Sequence, residues 1–114
     1  MLVLTVALQA SSATAQMVKV VGIGASSCTQ FIREIGSNSS AERDYFAWAQ
    51  GFMSGVLVQA PPGVGEGLDL DPASLALPAQ AAFLREYCSR NQDHSYADAV
   101  IALYSLIRHL GRGT

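Results

Sequence analysis

Residues 39–60, SSAERDYFAWAQGFMSGVLVQA, restrict this chain more than any other stretch. They hold its only Trp, half its Phe residues and two glycines four apart. At about 100° per residue, Tyr45, Trp48, Ala49, Phe52 and Val56 share one helical face, which Phe46, Met53 and Leu57 widen. The spacing predicts a helix from about 41 to 60, opened by a Ser39/Glu42 capping pair and ended by Pro61 and Pro62. Glu42, Arg43, Asp44, Gln50 and Gln59 are incompatible with a membrane span. The segment therefore reads as a central packing helix. Ala47, Gly51 and Gly55 would form a seam against which a neighbouring helix packs, which would offset the helix-propensity cost of the glycines.

Three further helices surround it. The first starts at Ser27, spaced with Gln30 as a capping box, and repeats Cys28, Phe31, Ile32 and Ile35 before Gly36. The third opens near Pro78, a favoured first-turn residue, and carries Phe83, Leu84, Tyr87 and Cys88. The fourth begins at a Ser95/Asp98 capping pair, with Ala97, Val100, Ile101, Tyr104, Ile107 and Leu110 as its stripe. Arg108, His109 and Arg112 suit its C-terminal dipole. Ahead of these helices, QMVKVVGIGASS reads as a short extended arm or strand. The expected fold is all-α, a small four-helix domain with an extended N-terminal arm, stapled by one disulfide. Its predicted core includes Tyr45, Trp48, Gly51, Phe52, Gly55, Tyr87, Tyr96 and Val100.

The first residues, MLVLTVALQASSATAQ, have a short apolar run and a small-x-small site at Ala13–Ala15. Residues 1–15 thus read as a signal segment and 16–114 as a single helical domain. Export would place Cys28 and Cys88 in an oxidising compartment and pair them, whereas in the cytosol they would be buried thiols. A bridge closing so long a loop would contribute about 4 kcal/mol in the chain-entropy model.

Between the second and third helices, residues 61–77 read PPGVGEGLDLDPASLAL. Proline, glycine and three acids (Glu66, Asp69, Asp71) without a base make this a solvated loop. The acids lack calcium-loop spacing, so no metal is expected. Seven Lys plus Arg against nine Asp plus Glu leave no basic stripe for nucleic acid. Neither His94 nor His109 stands in a catalytic pattern, so neither an active site nor a cofactor is expected.

The order SSCTQFI, YFAWAQGFMSG and FLREYCSRNQDHSYADAVIAL resembles the exported Rap/Tai-type immunity proteins, which protect bacteria from type VI secretion amidase effectors. The resemblance rests on Trp48, Ala49, Gly51, Phe52, Ser54 and Gly55, and on Tyr87, Cys88, Asn91, Tyr96, Asp98, Ala99 and Val100. Gln92 stands where that family commonly has Pro, and Val56 where it often has Asn. The resemblance implies a periplasmic, non-enzymatic protein that occludes a peptidoglycan amidase, with a homodimer open as its assembly. Loop 61–77, through Glu66, Asp69 and Asp71, is the candidate interface. A weaker similarity, to HdeA-type periplasmic acid chaperones, implies client binding at low pH instead. A periplasmic helical interaction module of another kind is the third reading.

Overall fold

The computed structural model describes residues 19–112, so the expected leader 1–15 lies outside the described residues. Four helices carry the fold: α1 (Cys28–Ser37), α2 (Ser39–Val58), α3 (Leu77–Arg90) and α4 (Tyr96–Arg112). The described residues contain no strand. Where an extended arm was expected, Gly22–Ala25 forms a 3-10 turn. Gly24 is buried there beneath Trp48, and a Cβ at Gly24 would overlap the indole ring.

The helix ends show which local signals the backbone used. Ser27 caps α1 by accepting from the Gln30 N–H at 3.0 Å, but the Gln30 amide bonds Glu34 rather than closing the box. α2 begins at Ser39 and is capped by Asn38, not by a Ser39/Glu42 pair. Only Asn38 separates α1 from α2. It is held extended, its N–H satisfies the Glu34 carbonyl at the end of α1, and its side chain accepts from Ser40 at 3.1 Å. Glu42 is thereby left to reach α3, where the Arg85 guanidinium contacts both its oxygens at 2.8 and 2.9 Å. The Ser95/Asp98 box closes in both directions, at 3.0 and 3.1 Å.

The core is built around a bridge and an aromatic cluster. Cys28 and Cys88, both fully buried, form a disulfide that joins α1 to α3. Phe31 of α1, Tyr45 of α2 and Tyr96 of α4 meet with ring centroids 4.7 to 4.9 Å apart, mostly tilted or edge-on, as aromatic quadrupoles favour. Met53, Leu84, Ala99, Val100, Leu103 and Ile107 complete the cluster. Of the residues expected in the core, Tyr45, Tyr96 and Val100 are buried, while Trp48, Phe52 and Tyr87 are half-buried and pack on its edge.

Gly51 and Gly55 are a correction. Both are exposed, and a Cβ at either would meet no atom within 4 Å. The buried face of α2 runs along Tyr45, Ala49 and Met53. Gly51 lies two residues from both Ala49 and Met53, hence about 200° around the helix from that face. The aromatic pair Trp48 and Phe52, stacked at 5.2 Å, marks the flank of the buried face rather than its centre.

Three outcomes follow for stability. Replacing Cys28 or Cys88 by Ser should cost about 2–5 kcal/mol in urea unfolding, the usual range for a small disulfide-bonded domain. Gly24→Ala should cost about 1–3 kcal/mol by pushing Trp48 off its seat. Gly51→Leu should instead be neutral or raise the melting temperature of dilute protein, since leucine is the better helix former by up to about 1 kcal/mol.

Candidate functional site

The segment joining α2 to α3 is built rather than loose. Gly63, Gly65 and Gly67 all have positive φ, between 73° and 84°, which lets two hydrogen-bonded turns, Pro61 to Val64 and Gly65 to Leu68, follow one another directly. The Glu66 carboxylate accepts the Gly63 N–H at 3.0 Å, and the Asp69 carboxylate accepts the Asp71 N–H at 2.8 Å. Leu68 and Leu70 turn inward onto the core, as does Leu75 of the 3-10 turn Ala73–Leu75. Glu66, Asp69 and Asp71 themselves are exposed.

Gln80 holds this segment from below. It is fully buried on α3, and its amide donates to the carbonyls of Leu70 at 2.9 Å and Leu75 at 3.0 Å. Its Oε1 has no partner among the described residues. The expectation of a solvated loop therefore holds for the three acids but not for the leucines between and after them. Sequence reasoning passed over Gln80. Its position was a signal, because it precedes Leu84 and Cys88 at four-residue intervals and so shares their buried face.

Among the described residues, two hollows lie between the loop and α4. One, of about 520 Å³, is bordered by Glu66 and Asp69 of the loop and by Ile107, Arg108 and Arg112 of α4. The other, of about 750 Å³, is an apolar groove between α2 and α4, floored by Phe52 and Val56 and closed by Pro61 and Val64. On the far side of the molecule's sequence order, the Tyr87 hydroxyl and His94 Nδ1 lie 2.7 Å apart. Among the described residues, no three His, Cys, Asp or Glu side chains are grouped so as to hold a metal ion, and no helix is long and apolar enough to cross a membrane.

Hydrogen bonding sets the electrostatics at the base of α1. The Tyr45 hydroxyl donates to Glu34 at 2.6 Å and the Gln30 amide adds a second bond, which together hold the Glu34 carboxyl below its ordinary range. Its contribution to stability is therefore present above the unfolded carboxylate pKa and is lost as pH falls through the lowered value. Burial acts in the opposite sense on the phenols, pushing Tyr96 far up and Tyr45 and Tyr87 up as well.

The geometry defines a disulfide-stapled all-α domain that carries a pre-shaped acidic loop. No family model matches the chain, and neither a curated protein nor a solved structure does.

The Gln80 clamp has a measurable consequence. Gln80→Leu removes the donor from the carbonyls of Leu70 and Leu75, both part-buried bonds, and should cost about 1–3 kcal/mol in all. Hydrogen exchange should rise first at the amides of Gly63, Leu68 and Asp71, while amides in the middle of α4 keep their protection.

Proposed function

We propose that this chain is an exported, non-catalytic binding protein of the immunity type, acting in an oxidising compartment by occluding a cell-wall amidase. One observation carries the reading. Three exposed carboxylates stand on a loop whose backbone is held by its own turns, by inward leucines and by Gln80. A loop ordered before binding loses little conformational entropy on docking, which favours tight, stoichiometric association with one folded partner. Acids without an intervening base favour a cationic patch on that partner and raise the association rate at low salt. The buried disulfide suits an oxidising compartment. The resemblance of the Trp48–Gly55 and Tyr87–Val100 stretches to amidase immunity proteins supplies the partner class.

The test is inhibition of a type VI peptidoglycan amidase effector by the purified chain at neutral pH. Titration should end at one chain per enzyme. A variant combining Glu66→Gln, Asp69→Asn and Asp71→Asn should bind about tenfold more weakly or worse while melting at the parent temperature. An amidase unaffected by excess chain, together with protection of an aggregating client that develops only below about pH 3, would replace this reading with an acid chaperone.

A further inference from the structure

The groove between α2 and α4 pairs an apolar bed with an unanswered cation. Phe52 and Val56 of α2 and Val64 of the loop supply the bed, and Val56 and Val64 are left 38% and 42% exposed. Gly51 and Gly55 line it as bare backbone, above which a Cβ would meet no atom within 4 Å. Three polar side chains border the same space: Gln59, Tyr104 and the half-buried Arg108. Among the described residues, none of these three side chains has a hydrogen-bond or ion-pair partner. Arg108 and Val64 also border the hollow beside the loop, and Gln59 stands just ahead of Pro61. The polar end of the groove is therefore its loop end. Glu66 and Asp69 border that other hollow and form no ion pair with Arg108.

We propose that this groove binds a single-chain amphiphile with an anionic head, a free medium-chain carboxylate. Its tail runs along Gly51, Phe52 and Gly55, and its carboxylate sits on Arg108 with the Gln59 amide as a further donor.

Size and chemistry select this occupant. The volume of about 750 Å³ falls inside the range of about 300–1,000 Å³ typical of small-molecule sites. Ten residues line it, against about 20–30 a side in a stable protein interface, so the groove by itself is too small for a protein partner. From Gly51 to Gln59 the helix rises about 12 Å, which gives an extended tail room to lie flat. Covering Phe52, Val56 and Val64 removes apolar surface from water. The guanidinium can hold a carboxylate through two parallel N–H···O bonds, whereas a cationic or uncharged head leaves it unanswered. An anionic bilayer is disfavoured as the source of that head. The chain carries a net charge of −2, and Glu66, Asp69 and Asp71 are exposed on the neighbouring loop. The ligand therefore arrives as a monomer.

Titration of the isotope-labelled chain with decanoate below its micelle threshold, followed by nuclear magnetic resonance, tests the site. The amides of Gly51, Gly55, Val56 and Val64 and the Arg108 Nε–H should shift together and saturate, while those of α1 stay in place. Decyltrimethylammonium, with the same tail and the opposite charge, should bind about tenfold more weakly or worse, the worth of one charge-assisted hydrogen bond. Arg108→Gln should cost decanoate a similar factor, and Arg108→Lys should recover part of it. Gly55→Leu fills the groove from open space and should abolish binding with unchanged helical circular dichroism. Phosphatidylglycerol vesicles should not sediment the chain. The absence of saturable shifts, or shifts centred outside the groove, would overturn the proposal. So would equal binding of the two amphiphiles, or sedimentation with vesicles in place of monomer binding. Groove shifts produced by an amidase effector and not by decanoate would give the site to a protein instead.

Discussion

The Cys28–Cys88 disulfide stands at the point where three of the four helices converge. It fixes the start of α1 to the last turn of α3. On either side of it the backbone ties the same region to α4. The Cys28 N–H donates to the His94 carbonyl and the Tyr96 N–H to the Ser26 carbonyl, both at 2.8 Å. The side chain of Thr29 adds a bond to the Gln92 carbonyl at 3.0 Å. This short antiparallel contact sets where α4 begins, and so where Tyr96 enters the core. With a covalent bond and two buried backbone bonds at one place, the N-terminal end of α1 cannot part from α3 and α4 without breaking all three.

The rest of the packing follows from that clamp. Tyr96, placed by it, meets Phe31 from α1 and Tyr45 from α2, so the aromatic cluster ties α1 to α2 and α4, the two helices that the disulfide does not reach. Trp48 then closes over Gly24, and Phe52 stacks on Trp48. A chain this small gains a limited hydrophobic contribution from its core. The bridge and the aromatic contacts accordingly bear a large share of its stability. Rigidity at that end also gives the α2–α3 segment two fixed anchor points, on which the turns and the Gln80 amide can hold a defined shape.

Function, on the reading proposed above, resides where packing stops. The acids of the loop are exposed while the leucines that anchor it pack on the core, and the outer face of α2 carries mostly small residues. Both surfaces belong to elements whose inner faces are fully committed to the core. Apart from the Glu66 and Asp69 bonds that shape the loop, their outward chemistry is therefore open to recognition.

Much of this was legible in the residues alone. Helical periodicity, the Ser27 cap, the Ser95/Asp98 box, Pro61–Pro62 and Pro78 marked four helices, because capping and periodic burial are local effects written within a few residues. The pairing of Cys28 with Cys88 was expected from the export pattern, and the fold brings the two together. The outward placement of Gly51 and Gly55 was beyond reach of pattern reading. Trp48 and Phe52 are two of the four aromatic residues of α2, yet they flank its buried face, which runs along Tyr45, Ala49 and Met53. Residue size marks that a helix has an apolar side. Which angle of that side points to the centre depends on three other helices, and those meet only in the tertiary structure. Gln80 has the same origin: its buried amide nitrogen donates to the carbonyls of Leu70 and Leu75, ten and five residues away, which become partners once the loop has folded back over α3.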